Sequence, residues 1–146
     1  MFTLRKRKPS IQATKLSSLI AEGVVITGDV SFGSGLRIDG RVVGNVIAQR
    51  VEGQTRALLV LSDKGHIEGS VRCGDAVING TVTGDLIVEH FLELQSSSRV
   101  SGTVQYQHLK MDVGAEVRGQ LTKIETASDN VVDLVADKTS GKTERR

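Results

Sequence analysis

The chain has 146 residues and a formal net charge of +2, is 38% hydrophobic and 25% charged, and holds one cysteine, no tryptophan and only 3% aromatic residues. A wide globular interior of this length seldom lacks tryptophan, so the composition points to a narrow interior filled by Val, Ile and Leu within a single domain. The longest apolar run, Ala57–Leu61, falls far short of the roughly 20 residues of a spanning helix, which excludes an integral membrane protein of that kind.

Residues 1–18 read as a flexible basic arm, with five basic side chains and no acid in the first fifteen. Met1, Phe2 and Leu4 precede four consecutive cations, Arg5, Lys6, Arg7 and Lys8, and these seven are the expected membrane-binding residues. Each cation near an anionic leaflet contributes about 1 kcal/mol, and the apolar side chains add interfacial burial, so a single arm binds only marginally. Composition alone leaves two other readings of the arm open, a solvated tail and a nucleic-acid contact. No secretory apolar stretch follows it, and with a single cysteine the expectation is a chain made and kept in the cytoplasm.

Residues 19–125 carry a repeat, with eight copies of aliphatic-x-Gly-x-aliphatic centred on Gly28, Gly40, Gly44, Gly69, Gly80, Gly84, Gly102 and Gly119. Six of them, Gly28, Gly44, Gly69, Gly84, Gly102 and Gly119, mark successive turns at intervals of 16, 25, 15, 18 and 17 residues. Such a period is the signature of a solenoid, whose units bury their apolar side only by stacking on neighbours. Two residues before each glycine stand Ile26, Val42, Ile67, Val82, Val100 and Val117, and two after it Val30, Val46, Val71, Leu86, Val104 and Leu121. The residue between, Asp29, Asn45, Ser70, Asp85, Thr103 or Gln120, is polar and points the other way. Alternation of period two with β-branched residues inside predicts strands. Leu59 and Leu61, Leu92 and Leu94, and Leu109 and Met111 predict an earlier strand in the later turns.

The glycines themselves are expected at corners of the coil, where positive φ or close stacking leaves no room for Cβ. A phosphate-cradling loop would need a helix after the glycine, and none is signalled. The 25-residue interval predicts a surface loop near Val51–Arg56, because its surplus is polar. Cys73 falls in an inward column with Phe32, Ala48 and Val88 and is expected as a small core residue. Six residues after successive repeat glycines come Arg50, Asp75, His90, His108 and Glu125, which predicts a solvated polar ladder on one outer face; a metal or pH-sensing ladder is the sharper alternative. No histidine, His66 included, has the spacing of a metal site. Residues 126–146 leave the repeat and read as a flexible tail with one brief sticky stretch, Val131–Val135. Gly141-Lys142-Thr143 lacks the upstream glycine of a phosphate loop, and the sequon at Asn79 is idle in a cytoplasmic chain.

These strings resemble the bactofilin family, bacterial polymer-forming proteins with a β-helical core between variable tails. The likeness is carried by Ile26-Thr-Gly-Asp-Val30, Leu36-Arg-Ile-Asp-Gly-Arg-Val-Val-Gly-Asn-Val46, Gly65-His-Ile-Glu-Gly-Ser-Val71, Val77-Ile-Asn-Gly-Thr-Val-Thr-Gly-Asp-Leu86 and the stretch from Leu92 to Val104, over about 100 residues. The resemblance implies a right-handed parallel β-helix, here of about six coils, that assembles end to end without nucleotide. It further implies attachment to the inner face of the cytoplasmic membrane and a scaffold role for proteins that build or remodel the cell wall. Phe2 with Arg5 to Lys8 looks like the basic membrane peptide of some members, while the 25-residue interval departs from the pattern.

Elementary physics leads to the same mechanism. The first and last coils of a solenoid present unpaired backbone groups beside apolar columns, a template for another chain. The expected polymerisation surfaces are Leu19, Ile20, Val24 and Ile26 at one end and Met111, Val113, Val117 and Leu121 at the other. Partial burial of six to eight aliphatic side chains there contributes on the order of 5 to 10 kcal/mol before association costs. No cofactor, nucleotide or catalytic residue is expected. One rival is a left-handed β-helix acyltransferase of the hexapeptide type, since Val24, Val30, Leu36, Val42 and Ala48 recur every six residues, but that period stops at Ala48. The other is a nucleic-acid adaptor using the arm, against which stand the acidic middle of the chain and the lack of interleaved aromatics.

Overall fold

The structure is a computed structural model and describes residues 16–49 and 57–124. The membrane arm Met1–Lys8, Arg50 and the Val51–Arg56 loop, Glu125 and the tail stretch Val131–Val135 lie outside the described residues.

Short apolar/polar alternations between glycines leave each segment long enough for a strand and too short for a helix, and the described residues form sixteen strands. They stack in three parallel columns. The first column contains β1 (Ser18–Ile20), β4 (Gly35–Ile38), β7 (Leu58–Leu61), the second half of β9 (Val71–Ile78), the second half of β11 (Leu86–Leu94) and β14 (His108–Met111). The second contains β2 (Val25–Thr27), β5 (Arg41–Val43), β8 (His66–Glu68), β10 (Thr81–Thr83), β12 (Arg99–Ser101) and β15 (Glu116–Arg118). The third contains β3 (Val30–Phe32), β6 (Val46–Ala48), the first halves of β9 and β11, β13 (Val104–Tyr106) and β16 (Leu121–Lys123). Each pass through the three columns is one coil, and the chain makes six, a parallel β-solenoid.

The inward residues stack as the repeat predicts. Val42, Ile67 and Val82 of the second column and Val46, Val71, Leu86 and Val104 of the third are fully buried. The first column buries Leu59 over Ala76 over Leu92, and Ile38, Leu61, Ile78 and Leu94 in one file. Its members Leu36, Ile38, Ala76 and Ile78 lie outside the pairs Leu59/Leu61, Leu92/Leu94 and Leu109/Met111 from which the sequence predicts this strand.

The six turn glycines occupy one edge of the prism, between the second and third columns, all with positive φ, from 127° at Gly28 to 153° at Gly44 and Gly69. A Cβ at Gly44, Gly69, Gly84, Gly102 or Gly119 would run into the carbonyl of the glycine one coil earlier. The same edge keeps its backbone paired, since the N–H groups of Gly44, Gly69, Gly84 and Gly102 each donate to the next coil at 2.9 Å. The polar residue after the glycine does more than face water. Asp29 Oδ1 accepts from the Asn45 N–H and Asn45 Oδ1 from the Ser70 N–H, both at 2.9 Å, and Asp85 Oδ1 from the Thr103 N–H at 3.2 Å. A second corner, between the first and second columns, holds Gly40, Gly65 and Gly80, where a Cβ would again meet backbone carbonyls. In the fifth coil Ser98 takes that place, fully buried, with an Oγ that has no hydrogen-bond partner among the described residues.

The third edge, where one coil passes to the next, is where length varies. The surplus of the 25-residue interval falls there, between β6 and β7. β11 pairs with β9 through a one-residue irregularity between Val88 and Phe91.

Candidate functional site

Two features of this prism bear on function, its open ends and the polar cluster on the third edge. At the ends, β1, β2 and β3 pair on one side only, as do β14, β15 and β16, so among the described residues six strand edges have no partner. The exposed large apolar side chains gather at the same two places. Leu19 at 59%, Val24 at 43% and Val25 at 61% belong to the first coil, and Met111 at 43%, Val113 at 97% and Leu121 at 44% to the last. Among the described residues only Ile47 is comparably exposed elsewhere.

The two ends differ in kind. In the last coil Met111 and Leu121 belong to inward columns, so the interior of the prism itself lies open there. In the first coil the inward-facing Ile20 is buried, as is Phe32, while Ile26 is half-buried. Of the residues expected at the ends, Leu19, Val24, Met111, Val113 and Leu121 are exposed, Ile26 and Val117 are half-buried, and Ile20 is covered. Val25 was missed because it faces outward from β2, where a period-two reading expects a polar residue.

Charge also separates the ends. Between Leu16 and Gly33 the first coil carries Glu22 and Asp29 and no base, whereas the last, from His108 to Lys123, carries Lys110, Arg118 and Lys123 against Asp112 and Glu116. Along the sides, exposed ion pairs such as Arg41–Glu68, Arg72–Glu89 at 3.3 Å and Arg99–Glu116 at 3.6 Å tie neighbouring coils, each worth at most about 1 kcal/mol. The Ser62 hydroxyl, followed by Arg37, holds the Asp39 carboxyl below its ordinary range.

The polar ladder of the third edge is arranged differently from the expectation. Asp75 is in register with Leu58 and Phe91, and His108 with Phe91, so His90 stands one place out of the file. The cause is the irregularity in β11, where Glu89 and His90 occupy the space that Gly74 fills in β9. Nor is Asp75 a solvated outer residue, being buried, with Oδ1 2.7 Å from His90 Nδ1 and accepting the Phe91 N–H at 3.2 Å. The His90 and His108 rings do meet, edge to face at 5.4 Å. Among the described residues no group of three or more His, Cys, Asp or Glu is placed to hold a metal ion. Cys73 is buried in the inward file expected of it, and burial, followed by Asp75 and Glu89, drives its thiol well above the usual range, so it stays protonated. No described helix is long and apolar enough to cross a membrane.

Comparison with known proteins bears on the same region. The family model described as bactofilin, polymer-forming cytoskeletal, matches residues 18–122, all six coils. Among curated proteins, bactofilin BacO of Myxococcus xanthus (strain DK1622) is 25% identical over 105 residues, covering 72% of this chain and 78% of its own length. Bactofilin BacP of the same organism is 22% identical over 105 residues, 72% of this chain and 41% of its own. Among solved structures, the cytoskeletal bactofilin BacA determined by solid-state NMR superposes with a TM-score of 0.61 at 30% identity, covering 74% of this chain and 96% of that one. The family match sets aside the acyltransferase alternative. A continuous stack of coils with a Gly-ladder edge, matched end to end by the family model, makes this chain a member of the bactofilin family of polymer-forming cytoskeletal proteins.

Proposed function

We propose that this chain assembles end to end, through its first and last coils, into filaments that need no nucleotide. The observation that carries the reading is that, among the described residues, exposed large apolar side chains, Ile47 apart, are confined to the two terminal coils, where the strand edges are also unpartnered. Lateral surfaces with ion pairs and polar residues disfavour side-by-side collapse, whereas an open coil offers backbone groups and apolar columns together. The assembly acts as a scaffold at the inner face of the cytoplasmic membrane, holding proteins that build or remodel the cell wall. Phe2, Leu4 and Arg5 to Lys8 supply the membrane contact. One arm binds weakly, and alignment of many arms along a filament raises the effective concentration of the later contacts. Negative-stain electron microscopy of the purified protein without nucleotide tests the reading. Unbranched filaments about as thick as one prism are expected, and a monodisperse monomer at high concentration overturns it.

A further inference from the structure

The polar cluster on the third edge plays no part in the assembly reading. The irregularity in β11 between Val88 and Phe91 sets His90 outside the paired file, and its ring meets that of His108 on β14 with centroids 5.4 Å apart and planes at 76°. On the other side of His90 lies the Asp75 carboxylate, which receives Nδ1 at 2.7 Å and the Phe91 N–H at 3.2 Å. A carboxylate only accepts, so in the neutral imidazole the proton sits on Nδ1 and the lone pair on Nε2. The Asp75 side chain is 4% exposed and that of His90 18%, so solutes reach the imidazole and not the carboxylate. Nearby cations are already matched, Arg72 by Glu89 at 3.3 Å and Lys110 by Glu93 at 3.8 Å.

We propose that His90 and His108 form a two-imidazole site for a divalent transition ion of the zinc type, with Asp75 as its positioning residue. A carboxylate that holds the second ring nitrogen of a ligating histidine fixes both tautomer and ring orientation, and most histidine metal ligands have such an outer partner. Two imidazoles bonded to one tetrahedral zinc at about 2.1 Å place their ring centroids about 5 Å apart, close to the spacing of this pair. Imidazole suits zinc, nickel and copper rather than magnesium or calcium, and water fills the positions that two side chains leave. Asp75 bonds the ring at Nδ1, away from Nε2, and so is no third ligand, in keeping with the absence of a three-residue metal group among the described residues. Because His108 belongs to the last coil and His90 to the passage into the coil before it, a bound ion clips the terminal coil to its neighbour. The site stands whether or not the chain assembles.

Zinc titration of the full chain, prepared without a polyhistidine tag, tests this. One ion per chain is expected, with a rise in melting temperature that His108→Ala abolishes. That variant keeps the Asp75–His90 pair, so its loss of zinc does not come from an orphaned buried carboxylate. The chain holds three histidines, and His66→Ala, on another face, should bind as the parent does. Asp75→Asn keeps both ligands and weakens the hold on Nδ1, so zinc affinity of the folded variant should fall about tenfold; an unchanged affinity removes Asp75 from its role. With one equivalent of copper in place of zinc, electron paramagnetic resonance should show two coordinated imidazole nitrogens in the parent and one in His108→Ala. Zinc affinity unchanged in His108→Ala, no binding by the parent at millimolar zinc, or a single coordinated nitrogen in the parent overturns the site.

Discussion

Gly84 illustrates why the repeat is written in glycine. Its φ of 141° is unfavourable for any L side chain, and a Cβ would enter the carbonyl of Gly69, so neither the backbone nor the neighbour can give way without breaking the ladder. Gly84→Ala should therefore cost about 3 kcal/mol or more of stability, read as a fall in the denaturation midpoint. Gly28→Ala, with open space around the Cβ, should cost less, since only the φ of 127° opposes it. Cys73 makes a second prediction. Its thiol is raised by burial, so the folded chain keeps the proton that the unfolded chain loses above about pH 8.5. Stability from this group is complete below that pH and declines as pH rises through the alkaline range, by roughly 1 kcal/mol per pH unit. Denaturation of Cys73→Ala between pH 8 and 10 should show a correspondingly flatter decline, and parallel curves for the two proteins refute it.

Elements here are too short to be stable singly, with most strands of three or four residues, and owe their persistence to the coil above and the coil below. Burial follows the stack: Val100 of β12 is 1% exposed, whereas Val117 of β15, in the same file one coil later, is half-buried. An aspartate at Val117 thus places charge on an end face rather than inside the closed core. Val117→Asp should keep the strand signature in circular dichroism and lose filaments in the pelleting assay; filaments at the wild-type threshold would exclude β15 from the contact. The polar residues Asp29, Asn45 and Asp85 show what element-level patterning conceals. Period two marks them as outward, yet their side-chain oxygens accept backbone N–H groups one coil on, a role visible only once coils are stacked.

At the scale of the whole molecule, the three edges of the prism have separate uses. Two are glycine-lined and close-packed, and the third carries the coil-to-coil passages, the extra residues after β6, the Asp75–His90–His108 cluster and the exits towards both termini. Length can vary on that edge without disturbing the ladders. Membrane attachment, on the proposed reading, is a property of the assembly. The Val117→Asp protein should sediment with anionic liposomes severalfold less than the parent, because single arms lack the effective concentration of an array. Equal liposome sedimentation by the non-assembling variant would uncouple the two properties.

The number of coils, the inward files of the second and third columns and the corner role of the glycines were all legible in the sequence, because a solenoid repeats one local environment and so writes it as a period. Counting along the chain failed at the places where period is lost. The extra residue at Glu89–His90 displaced the polar ladder by one, and the burial of Asp75 against His90 followed from that irregularity. Ser98 standing in a glycine file and the covering of Ile20 likewise came from the stacked coils alone, whereas the openness of Met111 and Leu121 was already expected from their place in the last turn of the repeat. Periodicity reports which side of a strand faces inward; how far a residue is from the last layer that covers it depends on neighbours a full coil away, and only the tertiary structure sets those.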